Sequence, residues 1–231
     1  ILILEQSKEV LNKVRISGGG RCNVTHACFD PKELTTFYPR GKKELLGPFH
    51  TFMTGDTMAW FEEKGVTLKI ESDNRVFPTT DKSESIVNCL LNEAQRLGIE
   101  IRKQETVQNF FKQDMNWVIE TKSSKYISKK MFLGTGSSKF IWNLVEKLGH
   151  TIKEPVPSLF TFNIQHELLS DLPGLAFSNV EVKILESKFS STGPLLITHW
   201  GLSAPSILKL SAQAARYLAE CNYRFGISIN L

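Results

Sequence analysis

The sequence predicts an α/β protein in two unequal parts, and three observations carry that expectation. Ile1-Leu2-Ile3-Leu4 is a short, unbroken apolar run ending at Glu5, the pattern of a parallel strand covered on both faces. Met131-Phe132-Leu133 is a second apolar run that enters Gly134-Thr135-Gly136-Ser137-Ser138 and then a helix carrying Ile141, Leu144, Val145 and Leu148. Strand, glycine-rich turn and helix in that order can seat a phosphate on helix N–H groups. Pro155 and Pro157 then mark a change to strand-rich sequence, which places a boundary near residue 151 and gives parts of 1–150 and 151–231.

Taken in order, Gln6 to Asn12 can form a helical turn leading to Lys13-Val14-Arg15-Ile16-Ser17-Gly18-Gly19-Gly20-Arg21-Cys22-Asn23. Pro31, Pro39 and Pro48 cut the next stretch into short pieces. Thr54-Gly55-Asp56 caps a helix with Met58, Trp60 and Phe61 that stops at Gly65. After Asn74-Arg75-Val76-Phe77-Pro78, a helix begins near Thr79–Asp81; Ile86, Val87, Leu90, Leu91, Ala94 and Leu97 share one of its faces, and Gly98 ends it. Runs at 99–102, 106–112, 117–121 and 126–128 read as a small antiparallel meander returning to the strand at 131–133. The second part holds strands near 159–164, 180–186 and 195–198, and one capped helix from Ser203 to about Glu220. It closes on Phe225, Ile227, Ile229 and Leu231 alternating with polar or small residues. A first residue that is not Met, and a last strand that stops in mid-pattern, read as a fragment of a longer chain.

Among the 231 residues, 41% are hydrophobic and 23% charged, a globular composition. The net charge of +4 comes from scattered Lys and Arg, which argues weakly for a polyanionic partner. No apolar run approaches the roughly 18–20 residues of a membrane span, and no secretory leader is evident. Cys22, Cys28, Cys89 and Cys221 lack paired spacing, as suits reduced thiols in a cytoplasm.

The glycine stretch is the densest candidate site. Ordering consecutive glycines is costly, and the cost is accepted where φ is positive or where something approaches too closely for a Cβ. Ser17, Arg21, Cys22 and Asn23 add a hydroxyl, a guanidinium, a thiol and an amide, a surface suited to an anionic or polar-edged planar ligand. The alternative is a tight turn with a polar rim. Glu5, at a strand end, stands where a doubly wound sheet presents a carboxylate to ribose hydroxyls, or is an ordinary solvated glutamate. The G-x-G-x-x-G turn that goes with such an acid, about 20 residues upstream of it, is absent from this sequence. Gly134, Thr135 and Gly136 are a second cofactor-side turn or a plain strand-to-helix turn. Arg21 suits a phosphate or flavin carbonyl, or a neighbouring carboxylate. Cys22, His26 and Cys28 lack zinc spacing and a fourth ligand, so no metal is expected. Cys22 and His26 remain open as a nucleophile pair without an orienting third group. His150 and His199 are as well explained by structural roles, and no catalytic acid or base is assigned.

With ILILE, KVRISGGGRCNVTH, NRVFP, MFLGTGSS, LGHTIKEPVPSLFTF and GPLLITHWGLSAPSIL in this order, the chain resembles bacterial FAD-dependent NAD(P)/FAD oxidoreductases of the aminoacetone-oxidase type. The resemblance covers nearly the whole chain. It implies a Rossmann-like FAD/NAD(P)-binding domain with an inserted β-barrel domain carrying a small helical part. It further implies that residues 1–150 belong to the FAD domain, with its first strand missing, and that 151–231 begin the inserted domain. By position Glu5 matches the ribose-binding acid, and Lys13 and Ser17 to Asn23 the loop lying along the cofactor. Val107 matches the backbone contact to adenine, and Gly134 to Gly136 the flavin-side turn. The implied activity is hydride transfer through FAD, with NAD(P)H as reductant or a small amine or carbonyl compound as substrate. The chain departs from the family in lacking the glycine fingerprint and the C-terminal return to the FAD domain. It also runs from Gly136 directly into Ser137-Ser138-Lys139 without a longer loop. A different class of function is a nucleotide- or nucleic-acid-binding module using Arg40, Lys42 and Lys43 beside Phe37 and Tyr38, though these residues read equally as a solvated loop. An inactive truncated product is the third. No membrane partner is expected, and nucleic acid is the weaker expectation.

Overall fold

The computed structural model describes residues 1–230, and the chain divides into two compact units, Ile1–Ile152 and Lys153–Leu231. Unit 1 opens with β1 (Leu2–Leu4) and α1 (Asn12–Gly20), followed by β2 (Thr25–His26), α2 (Pro31–Thr36), α3 (Lys42–Thr51) and α4 (Thr54–Glu63). Then come β3 (Leu68–Ile70), β4 (Arg75–Pro78), α5 (Ser83–Arg96) and β5 (Glu100–Arg102). The hairpins β6 (Val107–Gln113), β7 (Asn116–Thr121) and β8 (Lys125–Ser128) precede α6 (Lys139–Lys147).

β1 pairs parallel with β5, Leu2 opposite Glu100 and Leu4 opposite Arg102, with α5 lying between the two strands in sequence. That is a crossover connection, which parallel pairing requires. The expected burial on both faces is not found: Ile1 is 91% and Ile3 43% exposed. The sheet has only β1 and β5, so among the described residues no strand pairs with the other edge of β1. The expected strand at 131–133 is likewise irregular backbone, with Phe132 93% exposed. A strand exists by its ladder, and no strand among the described residues pairs with this run, although Met131 packs in the cluster that holds Leu4 and Phe110. Residues 6–10 are bends rather than a helical turn, and the helix begins at Asn12.

α4 starts as expected, with Asp56 reaching back to accept from the Met53 N–H at 2.8 Å. α5 starts at Ser83 and buries Ile86 and Val87 on its apolar face. Complete burial of a valine such as Val87 contributes about 1.5–3 kcal/mol. Ile86 packs with Phe61, Val66, Leu68 and Val76 over the antiparallel sheet β2-β4-β3. The meander β6-β7-β8 is present, and its inner residues Phe110 and Ile119 meet Ile141 and Leu144 of α6.

Unit 2 contains β9 (Phe162–Asn163), a short 3-10 turn at Glu167–Leu169, β10 (Ala176–Ile184), β11 (Ser190–Thr198) and β12 (Gly201–Ser203). It ends in α7 (Pro205–Gln213), α8 (Ala215–Glu220) and β13 (Ile227–Asn230). The strands form one antiparallel sheet in the order β13-β10-β11-β12-β9. Instead of the closed barrel the resemblance implies, the described residues form an open half-barrel sheet with β13 and β9 as its edges. Val180, Val182 and Ile184 alternate inward with Leu195 and Ile197 and pack against Ile207 and Leu210 of α7. The expected single helix begins at Pro205, whose ring presets the first turn, and is divided at Ala214. Leu231, the last residue of the expected terminal strand, lies outside the described residues.

Candidate functional site

The glycine stretch ends a helix and turns a corner. α1 is helical through Ile16; Ser17 is extended (ψ 151), and Gly18 and Gly19 are left-handed (φ 55 and 69). The corner is closed by the Cys22 N–H donating to the Ser17 carbonyl at 3.0 Å, while the Ser17 hydroxyl donates to Val14 at 2.8 Å. The three glycines are not equivalent. A Cβ on Gly18 would stand 2.7 Å from the Asn23 nitrogen and 3.0 Å from the ring of Phe77, which is fully buried. A Cβ on Gly19 would meet nothing within 4 Å. All three glycines are exposed, but Gly18 is required by the protein's own packing, whereas Gly19 and Gly20 have room where a Cβ would stand.

Arg21, Cys22 and Asn23 hold the corner in place. The Arg21 guanidinium lies 3.9 Å over the Phe77 ring and binds Asp81 (2.7 and 2.8 Å) and Glu71. Glu71, then Asp81, push its pKa further above an already high value, and Lys69, then Arg21, hold the Asp81 carboxyl below its ordinary range. Of the two roles open to Arg21, carboxylate anchoring is the one the structure shows. Cys22 has left-handed backbone (φ 62) and is 7% exposed, packed into the core beside Val76. The Asn23 amide, turned so that its nitrogen faces acceptors, donates to Thr25 (2.9 Å) and Val76 (3.2 Å) carbonyls. Earlier in α1, the Arg15 guanidinium pairs with Glu84 and its carbonyl accepts from the Ser83 hydroxyl at 2.8 Å, which ties the helix to α5.

The remaining candidates converge in two places. Glu5 follows β1 at the carboxyl end of the parallel pair, where open α/β sheets bind ligands. One of its carboxylate oxygens accepts from the Ser7 N–H at 2.7 Å, leaving the other unbonded among the described residues. Its carbonyl accepts from Glu105 at 2.9 Å, which brings Val107, two residues on, alongside. Val107 is half-buried at a register shift in β6, opposite Thr121. The Thr121 and Ser123 hydroxyls donate to Glu105 and depress its carboxyl pKa.

The second convergence pairs α1 with the turn before α6. The Lys13 ammonium lies 3.2 Å from where a Cβ of Gly136 would be, at a residue with φ 59. Among the described residues Lys13 pairs with no carboxylate. Ser138 caps α6, accepting from Ile141 at 3.4 Å, so the exposed Gly134-Thr135-Gly136 turn sits at a helix N-terminus beside a free ammonium. These fit an anionic group: an ammonium and a helix N-terminus lie at the Gly136 backbone, with the Phe132 ring 3.4 Å from where a Cβ of Gly134 would be.

Residues 1–195 match the model described as HI0933-like protein Rossmann domain. The chain belongs to that family. It is a FAD-binding family of flavoprotein oxidoreductases. The chain is 24% identical to a ribosomal RNA dihydrouridine synthase of Escherichia coli K12 over 221 residues, 92% of this chain and 54% of that protein. It is 26% identical to the protein of the same name in Haemophilus influenzae over 227 residues, 91% and 55% of the two chains. It is also 23% identical to a 3-dehydro-bile acid delta(4,6)-reductase of Clostridium scindens over 230 residues, 95% and 55%. The chain thus spans about half the length of these relatives.

Sequence reasoning missed the brace formed by Phe77, Glu71 and Asp81. Arg21 and its acids are 50 and 60 positions apart; the sequence marked Phe77 only within the Asn74–Pro78 stretch and Asp81 only as a helix start. No group of three or more His, Cys, Asp or Glu that could hold a metal ion occurs among the described residues. Burial raises the Cys28 and Cys89 thiols above their ordinary pKa, so neither is a ready thiolate. Among the described residues no helix is long and apolar enough to cross a membrane.

Proposed function

We propose that unit 1 binds FAD at the carboxyl end of β1 and β5 and at the N-terminus of α6, in a protein that reduces a ring C=C bond conjugated to a carbonyl. The observation that carries this is the Lys13 ammonium, free of any carboxylate, set against the Gly136 backbone at a capped helix start. Lys13 and the turn at 134–136 would neutralise the pyrophosphate, and the unbonded Glu5 oxygen would accept from ribose hydroxyls. Backbone at Val107 would meet the adenine edge. The exposed ribbon at Gly19 and Gly20 would lie along the flavin, held there by Arg21, Cys22 and Asn23 from behind. When bound, FAD supplies the hydride chemistry, and NAD(P)H is the reductant this reading expects. Residues 1–150 are the FAD domain and 151–231 the start of an inserted one, and the free thiols suit a cytoplasmic protein.

The substrate class comes from chemistry shared by two names. A dihydrouridine synthase saturates a uracil ring bond conjugated to a carbonyl, and a 3-dehydro delta(4,6)-reductase saturates a ring bond conjugated to a 3-ketone. In both, the acceptor is an electron-poor alkene, and the protein's task is to hold it against the reduced cofactor. Oxidation of a small amine, as in the aminoacetone-oxidase type, would run electrons the other way.

The test uses the full-length natural protein. It purifies yellow, gains thermal stability from saturating FAD by mass action, bleaches with NAD(P)H, and is reoxidised by a conjugated enone or a uracil compound. A colourless protein whose melting temperature ignores FAD refutes the cofactor assignment. Reoxidation by neither alkene, with reduction by an amine, refutes the direction of transfer.

A further inference from the structure

We propose that the α2–α3 hairpin is a docking surface for single-stranded RNA. Lys32 of α2 and Lys42 and Lys43 of α3 line one shallow depression with Glu33, Thr36 and Leu46. Its charge is three ammonium groups against one carboxylate, and among the described residues none of the three lysines is held in an ion pair. Beside the depression, the link between the helices carries two aromatic rings that a folded domain ordinarily hides. Phe37 is 57% and Tyr38 40% exposed. Each is braced by a second ring: His26 lies 5.0 Å from Phe37 and Phe49 lies 5.6 Å from Tyr38, centroid to centroid. The outward faces are thus fixed in place while remaining open. The sequence left Arg40, Lys42 and Lys43 beside Phe37 and Tyr38 open as a nucleic-acid-binding surface or a solvated loop; the structure adds Lys32 from α2 and gathers lysines from two helices around one hollow, next to the rings.

Exposed aromatic faces, each with a ring behind it, next to unpaired ammonium groups match a strand of unpaired bases on a phosphate backbone. The rings offer stacking that every base accepts, and the lysines track the phosphates. An apolar protein partner would gain little from three free ammonium groups, and a bare phosphate little from the rings. The inference does not rest on FAD binding.

The experiment is fluorescence anisotropy with a labelled, unstructured uridine-rich RNA of about a dozen nucleotides, a length within the span such surfaces cover. The full-length protein is compared with Lys32→Gln/Lys42→Gln/Lys43→Gln and with Phe37→Ala/Tyr38→Ala. Three phosphate contacts on a single strand give a salt slope of about −2, so affinity falls about 20-fold between roughly 50 and 200 mM salt. The triple lysine variant should lose that slope. The ring variant should bind about tenfold or more weakly, with the slope retained. Equal binding by all three proteins overturns the proposal. So does binding that tripolyphosphate abolishes while the ring variant is unaffected, which would mark a simple anion site. Melting curves of both variants with and without FAD show that the fold and the cofactor site are intact, keeping this outcome separate from the flavin reading.

Discussion

Replacing Gly18 and Gly19 in turn by alanine separates what the glycine corner does for the fold from what it does for a ligand. Both residues have left-handed backbone, φ 55 and 69, which costs an alanine about 1–2 kcal/mol. At Gly19 that is the whole cost, since the new methyl meets nothing within 4 Å. At Gly18 the methyl would stand 2.7 Å from a backbone nitrogen and 3.0 Å from the immobile Phe77 ring. Backbone and a fully buried ring cannot move aside cheaply, and overpacking of this kind adds about 1–3 kcal/mol. Gly18→Ala is therefore expected to lose about 2–5 kcal/mol, or about 4–20 °C at 2–4 °C per kcal/mol for a chain of this size. Gly19→Ala should lose about half as much or less. Thermal melts followed by circular dichroism read the difference without any cofactor. FAD titration then reads the other half: Gly19→Ala keeps the fold but places a methyl on the exposed ribbon, and should weaken FAD more than its small stability loss explains. If Gly18→Ala melts with the wild type, or if the two variants fall together, the division of roles between these glycines is wrong.

Lys13→Gln should leave the melting temperature of the FAD-free protein unchanged, because Lys13 has no carboxylate partner among the described residues. The same change should weaken FAD about tenfold or more by titration, the scale of one charge-assisted hydrogen bond at about 1.5–3 kcal/mol. Asp30→Ala removes the cap of α2, whose carboxylate accepts from the Glu33 N–H at 2.7 Å, and should cost about 1 kcal/mol in urea unfolding. Glu93 has its carboxyl pKa lowered from 4.5 to about 2, first by the Arg96 hydrogen bonds. A group depressed on folding stabilises above its ordinary pKa and loses that contribution as pH falls toward the lowered one. The wild type should thus melt slightly above Glu93→Gln at pH 6, and the gap should close between pH 4.5 and about 2. Leu210→Ala, fully buried against β10 and β11, should cost unit 2 about 2–5 kcal/mol while FAD titration of the folded protein is unchanged.

What the sequence made legible divides along physical lines. α5 and α6 were readable because their apolar residues recur at helical spacing over several turns, and the core they meet is nearby in the chain. The meander β6-β7-β8 was readable for the same reason at period two. The runs at 1–4 and 131–133 were equally apolar, yet one is an exposed two-stranded edge and the other no strand at all. Apolar composition sets a propensity, whereas a strand is made by the neighbour it pairs with, and that neighbour is not a local property.

The candidate site shows the same limit more sharply. Ser17 to Asn23 drew attention as one contiguous binding loop, but their side chains serve different ends. The Ser17 hydroxyl turns back to Val14, Cys22 enters the core, Asn23 holds β4 and Arg21 grips two acids from beyond β3. None of those partners could be paired from spacing. What stays open is the backbone at Gly19 and Gly20, and the cation that lies against the second turn is Lys13, a full helical turn before the corner begins. A loop that must offer bare peptide to a flat ligand cannot also be stiffened from its exposed side, so its polar side chains are spent behind it. On that logic, Arg21→Ala should loosen the corner and weaken FAD through disorder, with Arg21→Lys restoring little, since a lysine cannot bridge Glu71 and Asp81 while stacking on Phe77.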